Sequence, residues 1–371
     1  MQRLGVRGAV IGGHYVPGDI SVSNGVVDQV GLPPGNGGLA VPGFVDLQVN
    51  GFGGVDFATA TTEEWREANA LLASTGVTTY LANLISHRPE VTTQAVGVAR
   101  VIHDSPQEGC AHLRGLHIEG PFLSAEKAGI HSRTVLQDPA PELIASWREA
   151  GPVVMTTLAP ELPGALEMIA NLVDHGVVVS LGHSNSTADE ARAGFDAGAT
   201  SVTHIFNAMS GITARAPGLA GMALSRNDVW LQLILDFLHV DRIVVELLLS
   251  YAPGRIVLVT DCLPITGTSG THFSLAGTDV ELREGKAVNS EGVLAGSVVT
   301  MDEALRNALS CGMNEVDAVN ATSFNALKLF NPHGPAPLEP GQPADVVVLD
   351  DSWNIDTVFV QGANVTLQEV L

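Results

Sequence analysis

At 371 residues, 45% of them apolar and only 16% charged, the chain can bury a large core, which excludes a disordered chain. The formal net charge of −22 excludes a nucleic-acid-binding surface, because phosphate contacts need clustered Lys and Arg, and an anionic ligand would need a local cationic pocket. Cys110, Cys262 and Cys311, odd in number and without metal-type spacing, read as free thiols of a cytoplasmic protein. The N-terminal stretch lacks the apolar core of a signal peptide, and charges at Asp236, Asp241, Arg242, Glu246 and Arg255 interrupt the most apolar region, 229–259, so no membrane partner is expected.

Residues 1–41 alternate short β-like runs with Gly, Pro and Asn turns and show no helix signal. The other end repeats this texture: after the Pro-rich NPHGPAPLEPGQP come ADVVVLDD and TVFVQGANV. Residues 1–41 and 335–371 therefore predict one small sheet domain built from both termini, with residues 42–334 as a continuous insertion. That middle holds eight apolar strand candidates, at 43–50, 77–85, 113–121, 152–160, 177–184, 200–207, 230–240 and 255–264. Helical stretches such as TEEWREANALLAST and PGALEMIANLVDHG lie between them. The pattern predicts an α/β protein with a (β/α)8 TIM-like barrel rather than a doubly wound sheet. Residues 267–296 read as one or two β-hairpins over the barrel mouth.

Polar residues mark one edge of this barrel. Asp46, Gln48, Asn50, Glu119, His183, His204, His239 and Asp261 all fall near the C-terminal ends of their runs, where barrel enzymes carry their sites. His183 and His204 flank a helical segment, and a βαβ unit brings both imidazoles to the same edge. His117 and Glu119 share a strand face, and a hydrogen-bonded core pair is the plain alternative for them. With both histidines, however, Glu119 completes a two-nitrogen, one-carboxylate set of zinc type. Asp261 ends the apolar run RIVLVTD and reads either as a general base or as a helix N-cap. Amides at 48 and 50, where a second ion would want imidazoles, predict one metal rather than two. His131 is an exposed loop histidine or a substrate contact. Arg215, the one basic residue near Asn207, is an anion contact or half of a surface ion pair.

At these residues the chain resembles the N-acetylglucosamine-6-phosphate deacetylases of the amidohydrolase superfamily. The matching blocks are PGFVDLQVNGFGGVDF, GLHIEGPFLSAEKAGIH, LGHSNSTADEARAGFDAGATSVTHIFNAMSG, LVTD and LAGSVVTM. The resemblance implies a TIM-like barrel with a small β-sandwich from both termini, and one divalent ion, zinc or else iron, cobalt or manganese, on Glu119, His183 and His204. It implies Asp261 as catalytic acid/base and His131 as the group that orients and polarises the acetamide. Ile130, Asn207, Ala208, Arg215, Leu294, Ala295 and Gly296 would bind the substrate, and His239 would reach the site of a neighbouring subunit in a homodimer. Phe237 departs from the pattern, standing where relatives carry glycine. A deacetylase of N-acetylgalactosamine 6-phosphate or of a free sugar, and a non-catalytic sugar-phosphate-binding barrel, are the alternative readings.

Overall fold

The structure is a computed structural model and describes residues 1–367. The eight apolar runs form one parallel sheet in which every strand pairs with its neighbours in sequence: Phe44–Val49, Val77–Leu84, His112–Glu119, Val153–Leu158, Val178–Leu181, Ser201–Val202, Trp230–Leu233 and Ile256–Leu258. The ring closes through a parallel bridge between Val49 and Cys262, where Asn50 N–H donates to Cys262 O at 2.9 Å. Asp46 tightens the same seam by accepting from Thr260 Oγ at 2.5 Å. The fold is thus a (β/α)8 barrel.

Period-two alternation divides each strand between lumen and helices. On the third strand His117 and Glu119 bond across the lumen to Thr157, Gln48 and Asn83, whereas Arg114 lies over Phe330 of an outer helix. Several helices start where their sequences place caps. Thr61 with Glu64 and Thr187 with Glu190 form capping boxes at the helices Thr62–Ser74 and Ala188–Asp196, satisfying N–H groups that helix geometry leaves free. Among the described residues no helix is long and apolar enough to cross a membrane.

The later strands are shorter than their apolar runs. The fifth stops at Leu181, the sixth at Val202, the seventh at Leu233 and the eighth at Leu258. Beyond those points the chain turns through left-handed conformations at His183 (φ 46°), His204 (φ 29°), Phe237 (φ 59°) and Asp261 (φ 50°). A strand run to 240 is therefore corrected to a strand and a loop, with Asp236 accepting from the backbone N–H groups of Leu238 and His239.

Both termini build the sandwich. A six-stranded sheet contains Val6–Ile11, Gly37–Pro42, Val346–Leu349 and Ile355–Val360, and a three-stranded sheet of Gln2–Arg3, Asp19–Ser23 and Val26–Leu32 accompanies it. Alternate residues of the larger sheet serve two cores. Val346, Val348 and Phe359 pack with Val6 and Ile20, while Val347, Leu349, Val358 and Val360 join the barrel core. At the barrel mouth, 267–296 forms a four-stranded antiparallel sheet, ending in Leu294–Gly296, whose apolar side packs on Ile85, Ile130 and Leu263.

Phe57, Trp65 and Tyr80 stack in the barrel wall, with Phe57 and Trp65 centroids 4.7 Å apart. Trp65 Nε1–H donates to Tyr80 OH at 2.7 Å, and Tyr80 OH donates to buried Asn69. Tyr80→Phe leaves both partners unmet in a dry core, so the denaturant midpoint should fall by the equivalent of about 2 kcal/mol. An unchanged midpoint would show that the triad contributes nothing net.

Candidate active site

Glu119 ends the third strand, and the left-handed turns after the fifth and sixth bring His183 and His204 to it. Glu119 Oε1 lies 3.1 Å from His183 Nε2 and 3.0 Å from His204 Nε2, and the two nitrogens are 3.1 Å apart. All three side chains are buried. His183 Nδ1–H donates to Lys127 O at 2.8 Å, which leaves Nε2 as the nitrogen able to present a lone pair. Lone-pair atoms this close require positive charge between them. Burial holds His204 below the ordinary imidazole range, which disfavours a proton as the source of that charge. Burial alone would raise Glu119, but its contacts to both imidazoles hold it well below its ordinary value, as an ionised ligand requires. The donor set fits one divalent cation, and Glu119, His183 and His204 form the cluster able to hold it.

The other oxygen of Glu119 is occupied from the opposite side. Oε2 accepts from Asn83 Nδ2 at 2.7 Å and from Gln48 Nε2 at 3.2 Å. Asn83 Nδ2 also meets Asn50 Oδ1 at 2.8 Å, and Asn50 Nδ2 donates to Asp261 Oδ1 at 2.8 Å. A chain of amides thus joins the two carboxylates. Asp261 is not a helix cap. Burial, then the charge of Glu119, pushes its carboxyl well above the ordinary range, against the Asn50 bond.

His131 is buried, contrary to an exposed-loop reading. Its Nδ1 accepts from Ser86 N–H at 3.2 Å and lies 2.9 Å from Ser86 Oγ. The neutral ring therefore carries its proton on Nε2, and burial, pushing it down to about 3, keeps it neutral. His117 is the satisfied core histidine of the plain alternative, between Leu47 O and Thr157 Oγ1.

A cavity of about 420 Å³ opens over the cluster. Ile130, His131, Asn207, Ala208, Asp261 and the strand Leu294–Gly296 all line it. His239 also lines this cavity, and Asp236 fixes its ring by accepting from His239 Nδ1–H at 2.7 Å. Arg215 does not reach the cavity: residues 211–217 are exposed. Lys127 is the one lysine or arginine among the lining residues. Lys127, Asn83 and Ser86 escaped the sequence reading, although Lys127 stands within the AEKAGIH block.

The amidohydrolase family pattern matches residues 39–365. The chain is 34% identical to the human N-acetylglucosamine-6-phosphate deacetylase over 343 residues, 88% of this chain and 83% of that one. It is 31% identical to the N-acetylgalactosamine-6-phosphate deacetylase of Escherichia coli O157:H7, covering 87% of each chain. Among solved structures it superposes, with a TM-score of 0.92 and 33% identity over 98% of this chain and 99% of the other, on a mutant N-acetyl-D-glucosamine-6-phosphate deacetylase from Mycobacterium smegmatis in complex with N-acetyl-D-glucosamine-6-phosphate.

Metal-stripped protein titrated with zinc should take up one ion per chain, and the His204→Asn variant should take up none at the same free-ion level. Uptake of two ions by the unaltered chain would overturn the reading of the amides at 48 and 50. A second measurement addresses Asp46, which burial pushes up to about 6 from 3.8. A carboxyl raised on folding holds its proton more tightly in the native state. Its stabilising contribution is complete below the unfolded value and fades as pH rises through the folded one. Between about pH 4 and about pH 7 the Asp46→Asn variant should therefore lose less stability than the unaltered chain, in denaturant midpoints measured side by side.

Proposed function

The chain belongs to the amidohydrolase family, and from that membership and the geometry of its cavity we propose that it hydrolyses the N-acetyl group of N-acetylglucosamine 6-phosphate, yielding glucosamine 6-phosphate and acetate. The observation that carries this reading is the convergence of Glu119, His183 and His204 within hydrogen-bond distance, in one cavity with Asp261 and the neutral donor His131. We assign the chemistry to the barrel, residues 42–334, and the sheets from 1–41 and 335–371 to a supporting domain.

Zinc on Glu119, His183 and His204 would supply Lewis-acid polarisation and a more acidic water, and iron, cobalt or manganese would suit the same donors. Asp261 takes the proton of the attacking water and gives it to the departing amine. Asn50 holds Oδ1, which leaves Oδ2 for that transfer, and the raised affinity of Asp261 for a proton suits a group that carries one between two steps. His131 donates from Nε2 to the acetamide oxygen, where negative charge develops. Lys127 and His239 line the wall assigned to the phosphate, while Asn207 and Ala208 flank the sugar. We also propose a homodimer, supported by Ile243, Leu247 and Tyr251, spaced four residues apart on the helix Arg242–Tyr251 and each about two-thirds exposed.

A galacto-configured substrate is the second reading, favoured by the nearly equal identity to the E. coli N-acetylgalactosamine-6-phosphate deacetylase. Acetate release measured in parallel on both N-acetylated hexosamine 6-phosphates and on free N-acetylglucosamine separates the readings. The gluco phosphate should be the best substrate, and turnover confined to the free sugar would overturn the phosphate assignment. Asp261→Asn should lower kcat by about 10²- to 10⁴-fold with little change in KM. Unimpaired turnover in that variant would remove Asp261 from the mechanism.

A further inference from the structure

The opposite end of the barrel holds a second cavity, of about 650 Å³. It lies against the beginnings of the first four barrel strands, at Val45, Thr79, Arg114 and Val154, and is walled on the other side by the helix Phe324–Phe330 and the Pro-rich segment beyond it. The strands run from this floor to the catalytic rim. Arg114 stands five residues from Glu119 on one strand, a separation of about 16 Å along it.

The charge here is the reverse of the chain's. The sequence holds 40 acidic and 18 basic residues, yet Arg114, Lys328, His103 and His112 all line this cavity, with Asp345 as its one carboxylate. That carboxylate is engaged, accepting from Gln361 N–H at 2.7 Å. Arg114 and Lys328 have no carboxylate or hydrogen-bond partner among the described residues. Each is held on a ring instead, Arg114 Cζ at 4.9 Å from the Phe330 centroid and Lys328 Nζ at 4.4 Å from that of Phe324. Cation–π contact fixes the position of a charge without satisfying its N–H donors. Arg255 shows the contrast: it is also partly buried, but its guanidinium is spent on four backbone carbonyls. His103 donates from Nδ1 to Leu113 O, which turns its Nε2 away from that bond, and the His103 and His112 rings lie 6.0 Å apart.

We propose that this floor cavity is a second ligand site, which binds a small organic phosphate through Arg114 and Lys328. Two preset cations with unmet donors suit the several oxygens of a phosphate better than a single planar carboxylate, which one guanidinium alone would satisfy. The volume is far larger than a bare phosphate needs and falls within the range of pockets that enclose whole metabolites. Phe324, Phe330, Pro335 and Pro337 give the remaining wall an apolar surface for the organic part.

Calorimetric titration of the metal-loaded full chain with UMP, with glucose 6-phosphate and with inorganic phosphate tests the site. At least one organic phosphate should bind tenfold or more tightly than inorganic phosphate, a difference well resolved by the method. Arg114→Ala and Lys328→Ala should each weaken it at least tenfold, while KM for the acetamido sugar phosphate stays constant, which excludes binding in the catalytic cavity. Because Arg114→Ala also removes a contact with Phe330, Arg114→Lys serves as the partner variant and should recover part of the affinity. No binding of any probe up to about 10 mM, equal affinity for inorganic phosphate, or affinity unchanged in both alanine variants would overturn the proposal.

Discussion

Burying two carboxylates in one cavity is the constraint on which the catalytic end of this barrel depends. Desolvation penalises ionised Glu119 and ionised Asp261 alike, and each opposes the ionisation of the other. The structure divides them by their neighbours. Glu119 has two imidazoles on one oxygen and two amide N–H donors on the other, so it stays charged and serves as a ligand. Asp261 has a single amide donor, so its affinity for a proton stays high. One environment makes an anchor and the other a proton carrier, and Asn83 and Asn50 bridge the two roles within a single hydrogen-bonded chain.

That division depends on the backbone beyond the strands. A straight strand would carry His183, His204 and Asp261 along the barrel axis, towards solvent. Left-handed turns at all three bend the chain back over the lumen, at a cost of about 1–2 kcal/mol each for side chains with a Cβ. Local bonds offset this cost. His183 O accepts from Ser124 N–H, His204 O accepts from Asn207 N–H, and Asp261 O accepts from Ser297 N–H. The mouth sheet that ends in Leu294–Gly296 is thereby tied to the catalytic turn, so the substrate wall and the acid/base group share one backbone anchor.

The barrel and its rim were legible because each strand carries a contiguous apolar run, and because His and Glu at the ends of such runs are conspicuous against it. The ends of the later strands were not legible. TSVTHIFN continues past the end of its strand in residues such as Thr, Ile and Phe that suit one, and the bend begins at a histidine whose positive φ has no signature in composition. Loop residues suffered most from this. Arg215 belonged by chemistry to an anion site, but a two-dimensional reading cannot place 211–217 outside the cavity. Lys127 orients His183 through its backbone carbonyl, a role that involves no side chain and so leaves no mark in the sequence. Asn83 was hidden for the opposite reason: an amide within VTTYLANL reads as a tolerated polar residue until Glu119 is seen beside it.

Phe237 shows how such a conflict is resolved in three dimensions. At φ 59° the position suits glycine, and a bulky aromatic there carries strain. Two features hold it. Asp236 accepts from the backbone N–H groups of Leu238 and His239, which fixes the turn irrespective of the residue at 237. Arg242 then covers the ring, with Cζ at 5.4 Å from its centroid, so the side chain that breaks the local rule is packed rather than left in solvent. The loop this produces carries His239 to the cavity wall. The ring at 237 is thus compatible with an imidazole at the cavity wall, because the carboxylate of Asp236, and not the absence of a side chain at 237, sets the direction of the turn.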